Sequence, residues 1–388
     1  MFPEVVVKMV KACAAIFYRE LVRLWRDKDL RIILIVGPLL GLLVFYCTYD
    51  AQAIRNIPTA VVDLDRSQES REIVDYVTKT QELKITALPG SAREMESLVE
   101  QGKVVVGIVI PEKFGTNLGL GRQSRVLVVV DGSNIIYANN ASSALLGITR
   151  TLGAQIGIKK LLVKGVNYSQ AQQAYMAVSF RDEAWFNPTL NYAFFLVLAL
   201  AINIWQQCCT IAASSGISGE RDATSWYQLR ATGVSRLGYF SCKSVVRILV
   251  FSLLMLPIYL LGFGLLKQVP ACGLWTLLLF TVLFAASIDG LGSLVSSVAH
   301  NTLDATRYGM VIALPSFVIG GYTWPLEAMP GWIQSAAWVL PQTWFFQGFN
   351  LLVFKNPGWS VMNRYFGGLA FAAVVCYSVS AIIVLCRD

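Results

Sequence analysis

The side chains that could carry chemistry in this chain are few, and they argue against several common kinds of site. His300 is the only histidine, which argues against His-based metal clusters and against a Ser-His-Asp triad. Eight cysteines are present, none of them between Thr48 and Gln207, and no CxxC or Cys/His metal pattern occurs. Cys208 and Cys209 are adjacent in an apolar run, which favours packing over chemistry. We therefore expect no catalytic residue, no metal and no cofactor in this chain.

Phosphate-binding motifs are also missing from the sequence. No G-x-x-x-x-G-K-[ST] segment occurs, since Gly102-Lys103 lacks the upstream glycine and is followed by Val104. Without a loop of backbone N–H groups to hold phosphates, the chain is not expected to hydrolyse a nucleotide. Gly119-x-Gly121 is a weak match to a dinucleotide loop and is typical of a turn.

Asp289 is the one acid deep inside an apolar stretch of the sequence. A carboxylate in a membrane is costly and usually faces protein or a water-filled cavity. It could contact a cationic substrate or relay a proton. Alternatively, Ser287, Ser293 or another helix could satisfy it by hydrogen bonds.

Aromatic side chains near the end of the chain are a second candidate for a substrate pathway. They could form a stacking wall for an amphipathic substrate, although an aromatic belt at the membrane interface is the favoured reading. The residues concerned are Trp324, Trp332, Trp338, Trp344 and Phe345.

Composition indicates that membrane-spanning helices must position these side chains. Of 388 residues, 55% are hydrophobic and only 14% are charged, against about 25% charged in a soluble domain. Residues 50–183 carry 15 basic and 14 acidic side chains, whereas the rest of the chain carries 17 and 10. The net charge of +8 therefore flanks the apolar stretches, which is a membrane signal and not a nucleic-acid signal.

The apolar stretches predict six spans with both termini on the cytoplasmic side of the membrane. Five basic residues from Arg19 to Arg31 precede the first span, which places the N-terminus inside. A basic group between the second and third spans and the segment Asn301–Arg307 then also fall inside. The group consists of Arg221, Arg230, Arg236, Lys243 and Arg247. The fifth stretch is short but has aromatic anchors at both ends. The predicted spans are 30–49, 191–216, 237–266, 271–299, 307–323 and 363–386.

The remaining segments complete a polytopic α-helical fold with an extracytoplasmic α/β domain inserted between the first and second spans. Residues 1–29 are typical of an amphipathic helix lying on an anionic cytoplasmic leaflet, with a soluble surface helix as the alternative. Residues 324–350 contain short helices that either dip into the outer leaflet or form a surface cap. In residues 50–190, β-type runs alternate with helical stretches, and one long helix is predicted from Asn134 to about Lys164. These runs are Thr59–Val62, Leu83–Ala87, Val104–Ile110 and Arg125–Val130.

The segment that follows the second span, within 217–236, carries the most informative motif. Its polar residues in one ungapped register are Glu220, Arg221, Asp222 and Ser225, followed by Leu229. With these residues the segment resembles the cytoplasmic loop of the ABC-2 family of exporter permeases, E-R-[ED]-x-G-T-x-[ED]-x-L. The sequence departs from that pattern with Thr224 for glycine, Tyr227 for the second acid and Gly233 for a later proline. Tyr18–Leu21 and the run from Gly321 to Trp332 are similar to two other family segments.

This resemblance implies the permease subunit of an ATP-driven exporter in a bacterial inner membrane, with a large extracytoplasmic domain. The segment would be a coupling helix that fits a groove on a separate cytosolic ATPase, which binds ATP and magnesium. Glu220, Arg221, Asp222, Ser225, Trp226 and Leu229 would make that contact. A second permease chain, identical or a paralogue, would be a partner, and the extracytoplasmic domain could dock a periplasmic adaptor. The plain alternative for the segment is a polar loop that only sets topology.

Two other classes of protein remain as alternatives. One is a proton-coupled secondary transporter with Asp289 as its relay, although intramembrane charge is sparse and no inverted repeat is evident. The other is a membrane receptor whose residues 50–190 bind a ligand, although six spans exceed what an anchor requires.

Overall fold

The chain divides into two compact units, each with its own hydrophobic core. One unit combines Met1–Asp50 with Ala184–Asp388, and the other is the inserted segment Ala51–Glu183. The computed structural model describes residues 2–49, 55–175, 185–188, 191–222 and 235–387.

Helices dominate the described residues, and four short strands lie within the inserted unit. A π-helical turn at Ile32–Val36 and a 3-10 turn at Leu326–Ala328 join neighbouring helices. In chain order the elements are α1 (Phe2–Arg26), α2 (Lys28–Arg31), α3 (Gly37–Tyr49), β1 (Ile57–Asp63), α4 (Gln68–Lys79), β2 (Leu83–Ala87), α5 (Ala92–Glu100), β3 (Val106–Ile110), α6 (Phe114–Gly119), β4 (Leu127–Val130), α7 (Ile135–Val163), α8 (Tyr168–Tyr175), α9 (Tyr192–Asp222), α10 (Arg236–Leu266), α11 (Leu274–Val298), α12 (Thr302–Ile319), α13 (Gly331–Ala337), α14 (Pro341–Phe354) and α15 (Trp359–Arg387).

Five helical segments in the described residues are long and apolar enough to cross a membrane. Helices suit this role because each backbone polar group is satisfied within its own segment. The 18-residue helix α12 lies where the fifth of six spans was predicted, but it is not among these five. The five segments are Lys28–Tyr49, Tyr192–Asp222, Arg236–Leu266, Leu274–Val298 and Trp359–Cys386.

The first of these segments contains a π-helical turn that has a local cause. Pro38 has no N–H, and its ring would clash with the carbonyl group of Leu34 in a regular helix. The turn at Ile32–Val36 relieves this clash, and the Gly37 N–H bonds to the Ile32 carbonyl instead. Asp27 caps the start of the segment by accepting from two backbone N–H groups.

Helices α9 and α11 pack together at the centre of the first unit, and their contact depends on small residues. A Cβ atom built on Gly292 would lie 2.4 Å from the Cβ of Ala213, far inside normal contact distance. Such close approach of backbones is a common basis for helix association in membranes. Beside this contact, Phe280, Phe284 and Phe345 stack in the buried core.

The inserted unit is built on a mixed four-stranded sheet in the order β2-β1-β3-β4. β1 is parallel to β2 and to β3, whereas β4 is antiparallel to β3. Helices α4 and α5 make the crossovers, and each begins with a serine whose hydroxyl accepts a backbone N–H bond. Every residue of β3 is buried, as expected for a central strand covered on both faces.

Several boundaries differ from those predicted from the sequence. The four strands lie at the four β-type runs, and α7 lies in the long helical stretch predicted from Asn134 to Lys164. The second span was predicted to end at residue 216, but α9 continues to Asp222. A search for apolar runs locates only the apolar part of a helix, so the polar final turn of α9 is not predicted.

Candidate functional site

The last turn of α9 holds a buried carboxylate that binds three cations. The Glu220 side chain is only 2% exposed. It accepts from Arg19 Nη2 at 2.5 Å, from Arg23 Nη1 at 2.9 Å and from Lys243 Nζ at 2.9 Å. Glu220 was expected to face a partner protein, but here it binds side chains of α1 and α10.

Spacing along the helices explains how these cations converge on one carboxylate. Arg19 and Arg23 are four residues apart on α1, so they lie on the same face of that helix. Lys243 enters from α10, where it is 2% exposed and also donates to the Gly216 carbonyl at 3.0 Å. Glu20 lies 3.3 Å from the Lys243 ammonium group and supplies a second acid. This group of five residues, Arg19, Glu20, Arg23, Glu220 and Lys243, is termed the Glu220 cluster.

A second buried ion pair lies one helical turn further along α10. Arg247 Nε is 2.6 Å from Asp289 Oδ1 on α11, and the two side chains are 1% and 0% exposed. The Tyr377 hydroxyl on α15 donates to Asp289 Oδ2 at 2.7 Å. The Arg247 Nη2 group donates to the Ser293 hydroxyl at 2.8 Å. The pair therefore connects α10, α11 and α15.

Asp289 thus has a cationic partner within its own chain. Of the two serines considered for it, Ser293 bonds to Arg247, whereas Ser287 donates to the carbonyls of Leu283 and Leu369. The Asp289 carboxylate is bound by side chains of other helices, which is one of the two alternatives considered from the sequence. A role in substrate contact or proton relay stays a prediction.

The two residues after Glu220 contact the ends of two more helices. Asp222 Oδ2 accepts from both the backbone N–H and the hydroxyl of Thr302, at 2.8 and 2.5 Å, at the start of α12. Arg221 Nη1 donates to the Ser297 carbonyl near the end of α11 at 3.4 Å. The final turn of α9 therefore touches α1, α10, α11 and α12. The other residues predicted for coupling, namely Ser225, Trp226 and Leu229, lie outside the described residues.

The aromatic residues predicted to line a pathway lie in different surroundings. Trp324 and Trp332 are exposed, at 58% and 74%. Trp344 packs against Trp338, with ring centroids 4.5 Å apart. Phe345 is fully buried and stacks on Phe284 at 3.9 Å. Of the five residues predicted to form a stacking wall, the structure brings Trp338 and Trp344 into contact, whereas Trp324 and Trp332 are exposed and Phe345 is buried.

Sequence reasoning placed Lys243 and Arg247 in a basic group between the second and third spans. The structure places both inside α10 and buried, so that assignment is wrong. A usable signal was present, because two cations four residues apart at the edge of an apolar run share one helix face. Two acids on other apolar helices, Glu220 and Asp289, carry the opposite charge and could balance these two cations.

The arrangement fixes the positions of several helices relative to one another. Each buried charge has an opposite charge within 4 Å, as expected where desolvation is costly. Among the described residues, no three His, Cys, Asp or Glu side chains lie together as metal ligands would. The Glu220 cluster joins an N-terminal helix to the exit of one candidate span and the entrance of another.

Comparison with known proteins agrees with a transport role. The model of a family described as ABC-2 family transporter protein matches residues 28–382. The "Probable multidrug ABC transporter permease YbhR" of Escherichia coli K12 is 24% identical, covering 83% of this chain and 84% of that protein. YbhS of the same strain, with the same description, is 24% identical over 85% of each chain.

A more distant relative comes from a different bacterium. The "Linearmycin resistance permease protein LnrN" of Bacillus subtilis strain 168 is 22% identical, covering 89% of this chain and 91% of that protein. All three relatives match over nearly their full length. Since the family model covers most of the sequence, the chain belongs to the ABC-2 family of transporter proteins, as an ABC-2 type permease.

Proposed function

We propose that this permease is the membrane subunit of an ATP-binding cassette exporter that moves amphipathic, drug-like molecules out of the cell. ATP and magnesium are bound by a separate cytosolic ATPase subunit. The names of YbhR and LnrN, a multidrug permease and a linearmycin resistance permease, support this class of substrate. The family supports a membrane transport role in which this chain is not the ATPase.

The observation that carries the proposal is the position of the Glu220 cluster. Glu220 lies in the last turn of α9, where the predicted ATPase contact begins. Because Glu220 binds α1 and α10 together, a push on that segment would move both helices with α9. The Arg247–Asp289 pair extends this linkage to α11 and α15. Closure of the ATPase can thereby be passed to several spans at once.

The proposed topology has six spans, with α12 as the fifth, and both termini in the cytoplasm of the inner membrane. An 18-residue helix is about 27 Å long, close to the ~30 Å of hydrocarbon in a bilayer. Basic residues near α1 and at the start of α10 favour a cytoplasmic position for those ends. The inserted unit is then extracytoplasmic, where it gates the exit or docks a periplasmic adaptor.

A second permease chain completes the transporter in this proposal. The partner is another copy of this chain or a paralogue, and the pathway lies between the two. Proton-driven transport through Asp289 has less support, because that carboxylate is buried and paired with Arg247. A relay group must exchange its proton with water or with a neighbouring acid.

The test is co-purification with the ATPase encoded beside this chain, followed by an ATPase assay in lipid. Trp226→Ala with Leu229→Ala is expected to weaken assembly, because two apolar contacts with the ATPase groove are lost. Glu220→Gln is expected to preserve assembly but to uncouple ATPase activity from drug-stimulated transport, because α1 and α10 lose their link to α9.

The matched control for Glu220→Gln is Glu327→Gln, the same exchange at an exposed acid of the same unit. It should leave assembly, ATPase rate and transport unchanged. If no ATPase associates with the wild-type chain, the exporter proposal fails. Normal coupling in Glu220→Gln would remove the Glu220 cluster from the mechanism.

A further inference from the structure

An apolar groove lies between the N-terminal helical segment and α10 in the first unit. Its volume is about 580 Å³, within the usual range for a small-molecule site. The side chains that form its apolar surface include Leu21, Leu24, Leu34, Ile35, Leu253 and Leu254. Leu21 and Leu253 are 42% and 64% exposed, so the groove is open along its length. Such a surface would accept a hydrocarbon chain.

Two arginines line the same groove and differ from the other arginines of this segment. Arg26 and Arg31 border the cavity, and neither takes part in an ion pair found among the described residues. By contrast, Arg19 and Arg23 both bind Glu220. Arg31 donates to the Trp25 carbonyl at 3.4 Å and lies 6.0 Å from the Trp25 ring centroid. These contacts place its guanidinium group at the groove.

The acids nearest in sequence to these arginines, Asp27 and Asp29, form no ion pair with them among the described residues. The carboxylate of Asp27 accepts from the backbone N–H groups of Asp29 and Leu30, so it serves as a helix cap. Asp29 is exposed and takes part in no ion pair found in the described part of the chain. The groove therefore combines an apolar surface with two guanidinium groups that have no carboxylate partner among the residues that the structure describes.

We propose that this groove binds one anionic glycerophospholipid. An acyl chain lies against the leucines, and the phosphate of the headgroup lies between Arg26 and Arg31. Planar guanidinium groups bind phosphate oxygens in a bidentate manner. A zwitterionic headgroup, whose own ammonium group balances the phosphate charge, is bound less well by such a pair of arginines. A lipid is favoured over another ligand because the groove opens beside exposed Tyr18 and Trp25, which are typical interfacial anchors.

This lipid would have a structural consequence for α1. It would contact both α1 and α10 on the side of these helices that faces bulk lipid. It would thereby strengthen the attachment of α1 that the Glu220 cluster provides. The proposal does not depend on export, because it concerns binding alone. The leaflet that supplies the lipid depends on the topology proposed above.

The experiment measures lipid retained by the full chain after purification from vesicles with equal phosphatidylglycerol and phosphatidylcholine. Native mass spectrometry counts each lipid per chain. Wild type is expected to retain phosphatidylglycerol preferentially. Arg26→Gln with Arg31→Gln should lower that preference roughly tenfold, since two charges near the headgroup are lost.

The matched control is Arg307→Gln, which removes one exposed cation from α12. It should leave the preference unchanged. An unchanged preference in the double variant, or an equal loss in Arg307→Gln, would overturn the proposal, because the retained lipid would then be a general annulus.

A second variant tests the apolar part of the groove without altering charge. Leu253→Phe narrows the groove at an exposed position, so retention of tightly held phosphatidylglycerol should fall while the protein stays monodisperse. If this variant instead splits a dimer and leaves lipid retention intact, the groove is a contact between two copies and the lipid site is excluded.

Discussion

At the residue scale, the Arg247–Asp289 pair shows how buried charge can be tolerated inside an apolar bundle. The two side chains are 1% and 0% exposed, with the charged atoms 2.6 Å apart. Removing both from water is costly, and the attraction between them offsets much of that cost only while both are present. Loss of one partner leaves an isolated buried charge.

We therefore predict that Asp289→Asn lowers stability strongly and that Arg247→Gln with Asp289→Asn restores part of it. The single change strands the guanidinium group, which costs about 3–5 kcal/mol in buried pairs. The measurement is the monodisperse fraction left after heating in detergent, for both single variants and the double. Asp304→Asn, at a partly exposed acid of α12, is the control. A double variant no more stable than the worse single would contradict the prediction.

At the element scale, ion pairs hold α1 to the rest of the first unit, together with buried apolar side chains such as Leu24. Arg19 and Arg23 bind Glu220, whereas Tyr18, Leu21 and Trp25 are exposed. We predict that Glu220→Gln loosens α1, because the ion pairs of Arg19 and Arg23 with Glu220 are lost and Lys243 keeps only its pair with Glu20. Hydrogen–deuterium exchange of residues 14–26 should become faster, while α11 stays protected. If exchange of α1 in Glu220→Gln equals that in wild type and in the control Glu327→Gln, apolar contacts alone suffice to hold α1 in place.

The contact between α9 and α11 depends on the absence of a side chain at Gly292. An added Cβ would lie 2.4 Å from the Ala213 Cβ and 3.0 Å from a backbone nitrogen, so the helices would have to separate. We predict that Gly292→Ala destabilises the protein by about 1–3 kcal/mol, as overpacking does in cores. Gly264→Ala is a matched control in α10, because nothing lies within 4 Å of its added Cβ. Thermal unfolding that ranks the two variants equally would refute this explanation.

The elements were largely predictable from the sequence, and the site was predictable only in part. Apolar runs and alternating β-type runs locate the long helices and the four strands, because burial acts on each segment separately. The pairing of Glu220 with Arg19 joins residues 201 positions apart, and no local pattern encodes that contact. Asp289 stood out because a charge in an apolar run is costly, but its partner depends on how three helices pack.

At the scale of the whole molecule, the number of spans decides which side of the membrane each site faces. Five segments are clearly long and apolar enough, and α12 is the sixth in the proposed topology. If α12 crosses, Arg307 near its start and Glu327 beyond its end lie on opposite sides. If α12 does not cross, both lie on the same side, and the termini fall on opposite sides of the membrane.

We predict that α12 crosses, and single-cysteine labelling can check it. The eight native cysteines are replaced by alanine, and one cysteine is placed at position 71, 307 or 327, where the native side chains are exposed. In intact spheroplasts, a membrane-impermeant maleimide should label positions 71 and 327 and should spare 307 until the membrane is permeabilised. Protection of both 307 and 327, with 71 labelled, would mean that only five segments cross and that the C-terminus lies outside. The Glu220 cluster would stay on the cytoplasmic side in either case, because Asp222 binds Thr302 at the start of α12, ahead of the crossing in question.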